Sequence, residues 1–85
     1  MRFVFPHSHA FPGGRVMVEE DGAVGSAGEV EFADGSVVAA AWRRDGNDFD
    51  LEVPTYLTAR GTEVAARRWR VVQGRDGVWR TRRVA

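Results

Sequence analysis

The side chains in this sequence best equipped for binding chemistry are arginines. All twelve Lys-or-Arg positions are Arg. Each tryptophan is followed by one, at Trp42-Arg43, Trp69-Arg70 and Trp79-Arg80. A guanidinium presents a planar fork of donors that matches phosphate or carboxylate, and an aromatic beside it offers a face on which a nucleobase stacks. In extended chain, Arg68 and Arg70 share one face, as do Arg80 and Arg82, so two paired strands would present all four together. These four are the candidate site for RNA, single-stranded DNA or another anion. Two ordinary explanations compete with that one. The thirteen Val, eleven Ala and absent Ile fit a GC-rich, bacterial-like coding sequence, which also favours Arg over Lys. Acidic side chains on neighbouring strands would also neutralise the same arginines, and alternation points the tryptophans inward.

His7 and His9 are the only histidines. As residues i and i+2 of an extended segment they point to the same side and would chelate a divalent metal, with a carboxylate and water completing the shell. The His-x-His step is similar to that of cupins, but Ala10 to Val18 lacks the glutamate that follows in that family. A metal-dependent small enzyme built on this pair is the weakest functional expectation. Nothing else supports catalysis, because nucleophilic mechanisms need a base and an orienter beside the nucleophile. No phosphate-cradling glycine motif is present either. No cofactor is implied. The threonines, Tyr56 and Arg60 between Thr55 and Thr62 would line a small anion pocket, or simply form a polar loop.

Val37, Ala39 and Ala41 alternate along one strand and put small apolar side chains on a face that would otherwise meet solvent. The sequence implies a cover: the N-terminal strands, the C-terminal hairpin, or another protein molecule. In the last case these three are the partner-binding residues.

The elements that must position these groups are strands. With two Leu against thirteen Val and nine aromatics, the composition favours β-structure. Asp-Gly recurs at Asp21-Gly22, Asp34-Gly35, Asp45-Gly46 and Asp76-Gly77, a strong hairpin signal. Phe49, Leu51 and Val53 alternate with Asp48, Asp50 and Glu52 and end at Pro54. A three-residue loop at Ala33-Asp34-Gly35 pairs Val30 with Val38, and a loop closed by Gly77 pairs Gln73 with Trp79 and Val71 with Thr81. A loop centred on Asp45-Gly46 is expected to pair Arg43 with Asp48, Trp42 with Phe49, Ala40 with Leu51 and Val38 with Val53. Residues 63–69 suit a strand better than the helix that Thr62 would cap. Met1–Phe5 and Arg15–Glu20 are two further short strands.

The expected fold is therefore all-β: residues 1–85 form a single small antiparallel barrel or roll of SH3-like or OB-like size, with five to seven short strands joined by Asp-Gly hairpins. Net charge is zero, but residues 1–59 carry −6 and residues 60–85 carry +6. No apolar run is long enough to span a bilayer, and Met1 to His9 lacks the pattern of a signal peptide; a cytoplasmic protein is expected. The leading functional expectation is a non-catalytic module that binds a protein partner or itself. The charge split favours a homodimer or a head-to-tail contact. Nucleic-acid binding through the arginine face stands second.

Overall fold

The computed structural model describes residues 1–6, 14–20 and 27–84, with the backbone alone at Arg83. Every regular element among them is a strand. They are β1 (Arg2–Val4), β2 (Gly14–Arg15), β3 (Met17–Glu19), β4 (Ala27–Glu31), β5 (Val37–Asp45), β6 (Asp48–Val53), β7 (Tyr56–Leu57), β8 (Glu63–Val64), β9 (Arg67–Gln73) and β10 (Trp79–Arg83). Among the described residues no helix is long and apolar enough to cross a membrane.

One eight-stranded sheet runs β2-β10-β9-β6-β5-β4-β1-β3, and β7 and β8 form a separate hairpin. The two ends of that order, β2 and β3, are separated in sequence only by Val16. The segment Gly14–Glu19 therefore pairs with β10 at its start and β1 at its end, drawing the sheet into a nearly closed barrel. All junctions are antiparallel except β1 with β4, which is parallel. Closure removes the exposed edges that make open sheets prone to aggregate.

Alternation fills the barrel. Phe49, Leu51 and Val53 of β6 face inward and are buried with Phe3, Val30, Trp69 and Val71. Burying a side chain of this size is worth roughly 1.5–3 kcal/mol. Phe49 is the centre of the aromatic packing: the rings of Phe3, Trp42 and Trp79 lie 5.9, 5.9 and 5.4 Å from it. Towards the β7–β8 hairpin, Phe5 stacks on Phe32 and Phe32 on Tyr56, whose hydroxyl pKa is raised by burial.

Three hairpins share one turn. Phe32 N–H donates to Ser36 O and Gly35 N–H to Phe32 O; the same two bonds recur at Thr58, Thr62 and Gly61, and at Gly74, Val78 and Gly77. The closing glycines have φ of +85°, +81° and +79°, left-handed values that residues with a Cβ rarely adopt. Two of these turns have the expected register, with Val30 beside Val38, Gln73 beside Trp79 and Val71 beside Thr81. Within residues 63–69, Glu63–Val64 and the residues from Arg67 on lie in strands β8 and β9, so the helix alternative fails.

The β5–β6 register differs from expectation. Trp42 pairs with Leu51 and Arg43 with Asp50, a shift of two residues from the Trp42–Phe49 and Arg43–Asp48 pairing. The same shift removes Ala40 from Leu51 and Val38 from Val53. The cause is the position of the turn: the expected loop of two or four residues is centred on Asp45-Gly46, whereas Gly46, with φ +62°, opens a two-residue loop with Asn47, so Arg44 and Asp45 stay in the strand. Arg44 then lies opposite Phe49 with its guanidinium carbon 4.6 Å from the ring centroid, a favourable cation–π contact. A shift of two preserves the faces, so the core is the one expected.

Candidate interaction face

The outer surface of β4, β5, β6, β9 and β10 carries most of the residues singled out in the sequence. Arg68, Arg70, Arg80 and Arg82 do share this surface, with Arg70 directly opposite Arg82. Like charges in that position are destabilising unless compensated, and the compensation is internal. Arg70 donates to Asp45 at 2.8 Å and to Asp50 at 2.9 Å, with Asp48 at 3.3 Å. Those bonds raise the Arg70 pKa. Arg43 bonds Asp50 from the other side at 3.0 Å, and the hydrogen bonds from Arg43 and then Arg70 lower the pKa of its carboxyl. Arg68 pairs with Glu52 at 3.4 Å. Arg80 holds Asp76 at 3.0 Å, which together with the Val78 N–H lowers that carboxyl to about 2. Of the four, Arg82 has no counter-ion among the described residues.

The tryptophans face inward. Trp69 is buried, and Trp42 and Trp79 are half-buried against the core. The Trp42 indole N–H donates to Ala27 O at 2.9 Å, and Gly28 leaves the space it occupies. The three rings therefore belong to the interior rather than to an outer stacking platform.

Val37, Ala39 and Ala41 are flanked as the registers require, by Glu31 and Glu29 on β4 and by Glu52 on β6. All three are exposed, Val37 to 50 %. Neither the N-terminal strands nor the C-terminal hairpin covers them. The stripe continues into an open groove of about 570 Å³ whose lining includes Ala39, Ala41, Pro54 and Ala66, bordered by Glu52 and Arg68. The sequence pattern pointed to the stripe. It did not reveal Pro54 and Ala66, which the β6–β9 pairing brings alongside.

The segment from Thr55 to Thr62 is occupied with its own fold. Thr55 Oγ1 accepts the Ala66 N–H and Thr58 Oγ1 accepts the Thr62 N–H, both at 3.1 Å. Two of the hydroxyls expected to line an anion pocket thus serve the hairpin instead. His7 and His9, the candidate metal pair, lie outside the described residues, as does Asp21-Gly22. No protein-family model matches the chain, and no curated protein or solved structure does either.

Proposed function

We propose that this domain is a non-catalytic protein-interaction module whose contact face is the outer surface of β5 around Val37, Ala39 and Ala41, extended by Pro54 and Ala66. The observation that carries this reading is the exposure of that stripe beside an apolar groove. Contiguous apolar surface that a monomer leaves uncovered is characteristic of contact sites. The charge split, which favoured a homodimer, is partly satisfied inside one molecule, since Asp45, Asp48, Asp50 and Glu52 of the acidic part pair with Arg68 and Arg70 of the basic part. That favours a different protein over a second copy.

A selection of random displayed peptides on the immobilised domain, counter-selected on the Ala41→Glu variant, tests the reading. A consensus that binds the parent and fails on the variant supports it; no enrichment on the parent overturns it.

A second reading, RNA or single-stranded DNA along β10, draws on one observation. Arg15 stands opposite Arg80 on the outer face, and neither Arg15 nor Arg82 has a counter-ion among the described residues. Anisotropy with mixed-sequence RNA at about 50 and about 200 mM salt decides it, because each neutralised phosphate releases counter-ions and steepens the salt dependence. No binding at the lower salt removes it.

A further inference from the structure

We infer that the outer face of β5 receives a basic amphipathic helix of another protein, with its apolar ridge on Val37, Ala39 and Ala41 and its Lys or Arg side chains on the glutamates to either side. This rests on the interaction-face reading and names the chemistry and form of the partner. β5 has hydrogen-bonded neighbours on both sides, so a partner cannot add a strand there and must dock by its side chains. Val37 to Ala41 run about 13 Å along the strand, a little over two turns of a helix. The groove of about 570 Å³ carries the apolar floor on to Pro54 and Ala66, room for a larger aliphatic or aromatic side chain.

The charge that such a partner meets is set by the ionised groups nearest the stripe. Each stripe residue has a glutamate directly across from it: Glu31 beside Val37 and Glu29 beside Ala39 on β4, Glu52 beside Ala41 on β6. The cations that hold these glutamates lie one strand further out, Arg2 on β1 and Arg68 on β9. They also neutralise them incompletely. Among the described residues Arg2 alone serves both Glu29, at 3.0 Å, and Glu31, at 3.7 Å, and the charge of Glu19 acts on it too. Arg68 meets Glu52 at 3.4 Å, and Glu52 is the more exposed of the two, 63 % against 52 %. Arg67 also borders the groove, but it lies opposite inward-facing Val53 and so belongs to the other face of β9. Arg43 follows Ala41 on the same face, at the hairpin end of the floor, and is bonded to Asp50. Carboxylates therefore line both sides of an apolar floor, two strand spacings or about 10 Å apart. That width matches a helix, about 10–12 Å across with its side chains. An extended segment turns alternate side chains away from the surface, whereas a helix offers an apolar stripe with basic residues along both margins.

The test uses fluorescein-labelled helical peptides with one leucine stripe flanked by Lys, by Gln or by Glu, and an isomer of the Lys peptide in which Leu and Lys alternate. Binding is read by anisotropy and by amide chemical shifts of the domain. The expected result is that the Lys-flanked helix binds best, shifts Val37, Ala39 and Ala41, and weakens with salt. Its affinity should fall about fivefold in Glu52→Gln and in Glu31→Gln. It should be lost in Ala39→Arg, or in Ala41→Gln should the arginine variant not fold. Equal binding of the Gln-flanked helix at the same residues would keep the contact face and overturn the basic partner. Equal binding of the alternating isomer would overturn the helix. Self-association in sedimentation, abolished by Ala39→Arg, would give the face to a second copy and overturn the inference. If no peptide shifts the stripe the inference is overturned, and the reading beneath it falls as well only if the displayed-peptide selection yields no consensus.

Discussion

Asp76 shows how single side chains in this protein serve a turn and a charge at once. Its Oδ1 accepts the Val78 N–H at 3.0 Å inside the β9–β10 turn, and its carboxylate holds Arg80. Arg80 and then the Val78 N–H lower its pKa from 3.8 to about 2. A carboxyl depressed in the folded state stabilises the fold fully above its unfolded value and loses that contribution as pH falls through the folded one. Between pH 3.8 and about 2, urea midpoints should therefore decline, and Asp76→Asn should flatten part of that decline. Only part will flatten, because Asp50 is depressed as well and titrates in the same direction. Gly28 makes a different demand. A Cβ there would stand 2.8 Å from the Met1 carbonyl oxygen and 2.9 Å from Trp42 Cδ1. The carbonyl is backbone and accepts the Glu29 N–H, so it cannot easily withdraw. Gly28→Ala is expected to cost about 1–3 kcal/mol, typical of overpacking, in denaturant unfolding monitored by tryptophan fluorescence. An unchanged midpoint would mean that the β1–β4 contact yields freely.

At the scale of strands and turns, most of the meander was legible because two signals agreed. At Asp34-Gly35 and Asp76-Gly77 the alternation of apolar residues permits one loop parity, and the left-handed glycine supplies the turn that fits it. At Asp45-Gly46 parity alone does not decide, since registers two residues apart bury the same face. The choice falls to Gly46 at the first loop position and to Arg44 over the Phe49 ring, which strand patterning treats as loop. The hairpin at Gly61 escaped notice because Arg60 precedes it. Its turn takes from Thr58 Oγ1 the acceptor that Asp34 and Asp76 supply in the other two. Beyond the neighbours that hairpins join, strand order was not legible. The parallel meeting of β1 and β4 and the approach of Pro54 and Ala66 to the alanine stripe depend on contacts between distant segments, which no local period encodes. For the same reason the sequence offered two readings of the arginines, an anion-binding face or one neutralised by acids on neighbouring strands, and the packing of β5, β6 and β9 gives the second for Arg70 by placing three aspartates against it.

At the scale of the whole molecule, the barrel closes through one short segment that changes partners at Val16. Val16 is buried, and its N–H donates to Trp79 O at 3.1 Å. Just before it Thr81 Oγ1, also buried, donates to Gly14 O at 3.2 Å; just after it Val18 pairs with Phe3. The strand pairing that joins the ends of the sheet here is two residue pairs to β10 and three to β1 among the described residues. A closure so brief is sustained because the core beneath it is shared: Val16 packs in the same cluster as Phe3 and Val71 from the two sides it connects. Val16→Pro removes the one N–H that bonds Trp79 at the switch and leaves a carbonyl without its donor, a loss of about 1–3 kcal/mol. If closure and core form one cooperative unit, hydrogen exchange in the variant will speed up together at β1, β10 and the central strands β5 and β6. Acceleration confined to β2 and β3 would instead mean that the open sheet is stable by itself and the segment Gly14–Glu19 only covers its edges. In that outcome the freed edges of β1 and β10 become sites for strand addition, and the variant should aggregate with increasing concentration while its core remains protected.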